Sequence, residues 1–405
     1  PAEARHWMRS GMAAGISPWW HIVGAGLDDR RRLDAADELL AWHEANEDAL
    51  YERSPIASIG LLWSNENSDF YGRDDADRRV LAPYRGWLHA LTHARLPWLP
   101  VHANHIRKQA GRLEALIVPD VRALSVGQMS DLQDYAQKGG SLIFSGQPGI
   151  LDEMGDPRTT SPLEELLGVA LTGRQEGLHA AEAEGGMDPP SHSYIRLHQG
   201  TDGRHYAAFA GLENTDILAF GGTIDVVRPH KGTTVLATLV PGFESYPPEF
   251  AWMRTPQTDI PAITVRSTPS SGRIIYLAAD IDRCHELRRL PDHAVLLGNL
   301  ATWAIRSERP FMVSGKGYFD CHLYRQGSRL IFHLVNLTGC NLWPGYLETV
   351  PAVGPLVITI PISADRSVAS VESRVSKTGL SWKRGDTELV ITLQSLVEHE
   401  LLVID

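Results

Sequence analysis

The stretch LEALIVPDVRALSVGQMSDLQDYAQKGGSLIFS, residues 113–145, decides the fold. Leu113–Pro119 is a short apolar run of the kind that forms a strand buried on both faces. Ser125 stands where a helix cap is wanted, because its side-chain oxygen accepts from the free amides of a first turn. The helix that it opens, Ser125–Lys138, stops at Gly139-Gly140, since glycine tolerates the left-handed turn after a helix. Ser141–Ser145 (SLIFS) is again a buried-type strand. Strand, helix and strand at this rhythm indicate a parallel, doubly wound sheet.

The alternation continues on both sides. Ile56–Trp63 (IASIGLLW) reads as a buried strand, residues 76–95 as a helix carrying Trp87, Leu88 and Leu91, and Pro97–Val101 as a strand. Residues 151–204, rich in Gly, Glu, Asp and Pro, read as an irregular surface excursion. Strand signals return at 216–220, 233–240, 262–266 and 273–278, and a helix over 291–306 closes the region. From Pro310 onward only strand-like runs occur, which suggests a small β-sandwich. Before Arg53-Ser54-Pro55, a helix over 1–15, an extended run Ser17–Val23 and a helix over 33–52 form a helix–strand–helix piece. That piece is too small to bury its own core.

The length of 405 residues suggests two or three domains. The net charge of −11 argues against broad nucleic-acid binding, which needs a basic surface. No apolar run of about 18 residues exists, so no membrane partner is expected. The three cysteines, Cys284, Cys321 and Cys340, match no zinc spacing and read as free structural thiols, with a Cys321–Cys340 disulfide as the alternative. No phosphate loop, dinucleotide fingerprint or His-Glu-x-x-His motif is present, so no cofactor and no metal are expected. Asn336-Leu-Thr338 matches a glycosylation acceptor but falls in an expected strand. The sequence starts at Pro1 and is expected to be a fragment of a longer protein.

Three stretches carry a family resemblance. The first is Glu3-Ala-Arg-His-Trp-Met8 leading to Gly15-Ile-Ser-Pro-Trp-Trp-His21. The second is Trp63-Ser-Asn-Glu-Asn-Ser-Asp-Phe-Tyr-Gly-Arg-Asp74 with Pro100-Val-His-Ala-Asn-His105. The third is Tyr246-Pro-Pro-Glu-Phe-Ala-Trp-Met-Arg254 with Thr258-Asp-Ile-Pro261 and Ala279-Asp-Ile-Asp282. Together they resemble proteins with a beta-galactosidase trimerisation domain, related to glycoside hydrolase family 42. The resemblance implies an α/β fold: a flavodoxin-like (class I glutamine amidotransferase-like) doubly wound sheet over 54–308. A TIM-barrel remnant over 1–53, the last strand and helix of a (β/α)8 barrel, would precede it, and a β-sandwich over 309–405 would follow. It also implies a homotrimer and a carbohydrate substrate. In that family the two catalytic glutamates sit at the ends of the fourth and seventh barrel strands. If Ser17–Val23 is the eighth strand, both precede Pro1, and this chain holds no catalytic residue.

The candidate sugar contacts are Trp19, Trp20 and His21, because aromatic faces stack on sugar rings and barrel sites lie at the carboxy ends of strands. Glu66, Asn67 and Tyr71, with Asp69, Arg73 and Asp74, follow the first strand of the α/β region, where loops form ligand crevices; the loop is expected to wall a sugar site or to be salt-bridged and helix-capping. Tyr246–Arg254 is read as a subunit contact or a second wall. Glu213, Glu244 and Glu249 are further carboxylates. Asp280 and Asp282 follow a strand and could point the same way, with capping and loop structure as the plainer role. An amidotransferase reaction needs a thiol on a strained turn. The turn after Ser141–Ser145 reads Gly146-Gln-Pro-Gly149, no cysteine precedes Cys284, and Ser145 lacks the Gly-x-Ser-x-Gly setting. Exposed apolar surface is expected around Trp7, Trp19 and Trp42. Two readings remain: part of a beta-galactosidase-like glycoside hydrolase supplying oligomer contacts and site walls, or a non-catalytic carbohydrate-binding or assembly protein.

Overall fold

The strand–helix–strand unit around residues 113–145 is present. Ala115–Val118 and Ser141–Ser145 pair in parallel, with Ile117 opposite Ile143. The helix between them is Val126–Gln137, and Ser125 caps it in a full capping box with Gln128. The Gln128 amide donates to Ser125 Oγ at 3.2 Å and the Ser125 amide to Gln128 Oε1 at 2.8 Å. Ser125→Ala is expected to cost about 1 kcal/mol, read as a lower urea midpoint with an unchanged slope. An unaltered midpoint would show that the cap contributes nothing.

This computed structural model describes residues 2–21, 31–175, 192–200, 203–204, 206–243, 247–339, 349–377 and 379–405. It divides into two compact units. The first holds Pro1–Ala57, Arg95–Pro97 and Glu308–Asp405, and the second holds Ser58–Ala94 and Trp98–Ser307. The segments 1–53 and 309–405, read separately in the sequence, thus fall in one unit.

In the second unit a nine-stranded sheet runs Trp98–His102, Ile59–Trp63, Ala115–Val118, Ser141–Ser145, Arg273–Leu277, Pro261–Ser267, Thr234–Phe243, His192–Leu197, Ile217–Ala219. Its first five strands are parallel. Counted along the chain they lie in the order second, first, third, fourth, fifth. The last four continue the sheet in antiparallel fashion. Leu61, Leu116, Ile117, Leu142, Phe144 and Ile275 are fully buried, which explains why these strands read as unbroken apolar runs. Helices Ala82–His93, Ile281–Arg288 and Pro291–Ala304 pack on one another. A Cβ at Gly86 would lie 1.9 Å from the Asp282 carbonyl oxygen, so only glycine allows the first two helices this backbone approach.

Several expectations change here. The helix expected over 76–95 begins only at Ala82, after wide helical turns over Asn67–Gly72 and Asp77–Leu81. The excursion over 151–204 contains two strands, Val169–Gln175 and His192–Leu197. Val169–Gln175 forms a separate ribbon with Ile224–Pro229, its register slipping between Leu171 and Gly173. Asp280 and Asp282 follow the strand Arg273–Leu277, as expected, and stand at the start of a helix whose N-cap position is Asp280. Their side chains therefore diverge: Asp280 takes Arg283 and the Thr223 amide, and Asp282 takes Trp87 and Ser145.

The first unit is a β-sandwich with helices on one side. Its five-stranded sheet runs Ser54–Ile56, Phe319–Gln326, Arg329–Asn336, His399–Ile404, Val371–Ser373, and its four-stranded sheet runs Met312–Ser314, Leu356–Pro361, Glu388–Leu393, Leu380–Arg384. Phe319, Cys321, Leu323, Phe332 and Leu402 meet Leu356, Ile358, Ile391 and Leu393 in the interior. The alternate residues Tyr324, Ile331, Leu401 and Val403 form a second core with Ala49, Leu50 and Trp42. Alternation along each strand thus serves two cores.

Helix Ala2–Ala13 ends on this layer. Tyr324 donates to the Ala13 carbonyl at 2.7 Å and Arg53 to the Met12 carbonyl at 2.6 Å. The Arg53 guanidinium lies 4.1 Å from the Tyr324 ring centre and contacts His333, which bonds His399 at 3.0 Å. The extended run after this helix is a correction: residues 16–21 belong to no strand. Ile22 and Val23 lie outside the described residues. Helices Arg31–Ala45 and Glu47–Leu50 follow. Trp7 and Trp19 are 70% and 72% exposed, whereas Trp42 packs against the second core. Among the described residues Cys284 and Cys321 are buried free thiols, and the Cys321–Cys340 alternative rests on a residue outside them. Cys340 lies outside the described residues. Among the described residues, no helix is long and apolar enough to cross a membrane.

Candidate functional site

The carboxy ends of the five parallel strands deliver five loops to one edge of the second unit. The first and third strands are neighbours whose chains leave in opposite directions across the sheet, and such a point opens a crevice. Asn67 follows the first strand. Its amide donates to the Asp120 carbonyl at 3.2 Å, and its oxygen accepts from the amides of Arg122 and Ala123 at 2.8 and 3.1 Å. Asn67 is 1% exposed and braces two loops, so its amide is spent inside the protein.

Asp120 is the centre of the arrangement. It pairs with Arg122 at 2.8 Å, and Tyr71 donates to its other oxygen at 3.2 Å. Arg122 lies over the Tyr71 ring, 4.5 Å from its centre. The Asp120 amide donates to Ser145 Oγ at 3.0 Å, and Ser145 in turn donates to Asp282. Trp87 donates to the same Asp282 oxygen at 3.1 Å. The Ser145 hydroxyl is therefore held between two aspartates and has no nucleophile's setting. Asp120 adopts φ 41, and Gly146 opposite it adopts φ 67. A Cβ on Gly146 would stand 1.8 Å from Asp120 Oδ1, so a glycine is required.

Burial governs the charges in this layer. It pushes the Asp282 carboxyl up to about 7, against the hydrogen bond from Ser145. It pushes Asp225 up to about 7 as well, with Arg122 opposing. Tyr276 touches Asp225 at 3.4 Å and donates to the Gly146 carbonyl at 2.9 Å. Burial also opposes the charge on Arg122, but Asp120 and Tyr71 more than restore it. Tyr71 is raised by burial and by the Asp120 charge. The loop signal in the sequence found Tyr71 and Asn67. Asp120 and Arg122 were missed, although Pro119-Asp-Val-Arg122 follows a buried strand and offered the same positional cue.

Glu66 faces outward on the same edge. Asn104 donates to it at 3.1 Å, and Gln128 donates to Asn104 at 2.6 Å. Burial pushes the Glu66 carboxyl up, but bonds from its own amide, Asn104 and Ser64 outweigh that and hold it below the ordinary range. It is thus an anion at neutral pH, able to accept from hydroxyl groups. Asp69, Arg73 and Asp74 are exposed around it, and Arg73 donates to the Phe70 carbonyl at 2.9 Å.

The other sequence candidates sit elsewhere. Trp19, Trp20 and His21 belong to the first unit, where Trp19 and His21 stack with ring centres 5.3 Å apart and the buried Trp20 indole N–H has no partner among the described residues. Phe250 and Trp252 are exposed, with Arg254 over Trp252 at 5.5 Å, while Glu244 and Tyr246 lie outside the described residues. Glu249 is exposed, and Glu213 accepts from the Gly211 amide at 2.8 Å. Among the described residues, no group of three or more His, Cys, Asp or Glu is placed to hold a metal ion.

No family model matches this chain, and no curated protein matches it. Solved structures do, and several of them are glycoside hydrolases. Alpha-L-fucosidase isoenzyme 2 from Paenibacillus thiaminolyticus matches with a TM-score of 0.69 at 15% identity, over 99% of this chain and 56% of its own. A beta-galactosidase from Bacillus circulans sp. alkalophilus matches with a TM-score of 0.63 at 12% identity, over 99% of this chain and 52% of its own. Gan42B, a GH42 beta-galactosidase, matches with a TM-score of 0.59 at 14% identity, over 93% of this chain and 44% of its own. The chain spans about half the length of these proteins, and at these identities the likeness is one of fold. The molecule is a mixed α/β protein with several sheets, built on a fold seen in glycosidases.

Proposed function

We propose that this chain forms the carboxy-terminal part of a glycoside hydrolase of the beta-galactosidase type, cleaving O-glycosidic bonds. In this reading the second unit is a flavodoxin-like, amidotransferase-like trimerisation domain, and the first fifty-three residues are the end of a catalytic barrel. One observation carries the reading: the likeness runs along 99% of this chain yet occupies only 56% and 52% of two glycosidases. The strand order second, first, third, fourth, fifth supports the flavodoxin-like description. The proposed role of the chain is to bring copies together as a homotrimer and to offer sugar contacts, Glu66, Asn67 and Tyr71 from the second unit and, separately, Trp19, Trp20 and His21 from the first. Both carboxyl groups that glycoside hydrolysis needs would come from polypeptide before Pro1.

The test is enzymatic. The pure 405-residue chain is expected to show no hydrolysis of aryl β-galactosides or aryl α-L-fucosides above buffer. The chain extended by the reading frame upstream of Pro1 is expected to hydrolyse one of them. In that longer protein Glu66→Gln should raise KM about tenfold, the loss of one charged hydrogen bond. Turnover by the 405-residue chain alone, abolished in Glu66→Gln, would place the chemistry here and overturn the proposal. A start codon close to Pro1 would instead favour a non-catalytic carbohydrate-binding protein.

A further inference from the structure

We propose that the first unit carries a carbohydrate-binding pocket of its own, built for a neutral polyhydroxylated ligand. The pocket encloses about 660 Å³, within the range of small-molecule sites. One wall is helix Ala2–Ala13, which supplies Arg5 and Arg9, and helix Arg31–Ala45 adds Glu38. The opposite wall is the chain from Gln394 to Glu398, and the buried His399 and Glu400 form the floor.

The charges decide the ligand class. Arg5 donates to Glu398 at 3.1 Å, and Arg9 grips the same carboxylate. Glu38 stands 3.9 Å from Arg9. The Glu400 carboxylate accepts from the amides of Val375, Ser376 and Leu401 at 3.1, 3.1 and 3.0 Å. The pocket mixes two guanidinium groups with three carboxylates, and these are already paired with one another or held by backbone amides, so neither an anion nor a cation finds an unmatched opposite charge. A sugar suits this mixture, because each hydroxyl donates to a carboxylate and accepts from a guanidinium at once. Charge-assisted bonds of this kind are stronger than neutral ones. Gln394, exposed at the mouth, adds an amide that makes no side-chain bond among the described residues. Every lining residue belongs to the first unit, so the pocket does not depend on the sugar walls proposed for Glu66 and Tyr71.

Calorimetry on the 405-residue chain tests this, with D-galactose, lactose and L-fucose as probes and inorganic phosphate as the charged comparison. At least one sugar is expected to bind saturably with a dissociation constant on the order of 1 mM, as suits a small polar ligand. Gln394→Trp should fill the mouth and weaken that binding about tenfold or more, while the melting temperature stays unchanged because the residue is exposed. Glu398→Gln should weaken it as well. The proposal is overturned if no sugar saturates at tenfold that concentration. It is equally overturned if Gln394→Trp binds as tightly as the parent chain, or if phosphate binds in place of the sugars. Because the readout is binding, failure here leaves the hydrolysis test untouched.

Discussion

Gly146→Ala is expected to lower the stability of the second unit by about 3 kcal/mol or more. Two costs combine. The residue sits at φ 67, where a side chain is strained, and the new Cβ would lie 1.8 Å from Asp120 Oδ1. Asp120 has nowhere to go, since Arg122, Tyr71 and Ser145 hold it from three sides. The control is Gly127→Ala, an exposed helical glycine whose added Cβ meets nothing nearer than 3.8 Å. That substitution should stabilise by up to about 1 kcal/mol. Urea denaturation of both variants checks the contrast. Equal midpoints would mean that the Asp120–Gly146 contact does not constrain the fold.

Acid should loosen the first unit before the second. Burial drives His399 down to about 3 and His333 well below its usual range, with the Arg53 charge acting on both. The unfolded chain, with ordinary histidines near 6.5, then binds more protons than the folded one. Stability is full above that value and falls as pH drops from about 6.5 toward the folded values. At pH 5 His399 is expected to remove about 2 kcal/mol, and His333 acts in the same direction. In the second unit, His89 and His285, lowered by burial to about 3 and 4, act the same way. Asp225 and Asp282, raised to about 7, act in the opposite direction there and gain stability as pH falls from 7 toward 4. Hydrogen exchange between pH 7 and 5, corrected for intrinsic rates, should show protection lost in Arg329–Asn336 and His399–Ile404 and retained in Ala115–Val118. Uniform protection across both units would contradict this assignment.

The parallel half of the large sheet was legible because burial on both faces writes itself as short apolar runs: Ile59–Trp63, Ala115–Val118 and Ser141–Ser145 lie inside the expected segments. The cap at Ser125 was legible for the same local reason. What stayed hidden depends on distant partners. Among the described strands Val169–Gln175 pairs with Ile224–Pro229 alone, across a slipped register. Helix Ile281–Arg288 is stabilised by Asp280–Arg283 and by the Gly86 approach, so its buried face is polar and shows no apolar period. At the candidate site, the rule that loops follow strands found Glu66, Asn67 and Tyr71. It could not tell that Asn67 would be consumed by backbone bonds while Glu66 stayed available. The aromatic cue at Trp19–His21 led to an exposed stacked pair instead of a strand end.

The order of segments in the first unit has a consequence for synthesis. Ser54–Ile56 is placed early, yet the strand that completes the middle of its sheet, His399–Ile404, is made last among the strands. The intervening guest, residues 58–94 and 98–307, has all its own strands and can be finished on the ribosome while its host is still open. A stop codon just before His399 would therefore leave the guest whole. The two amino-terminal helices would be stranded without a roof, and the sandwich would be left with unpaired edges that invite aggregation.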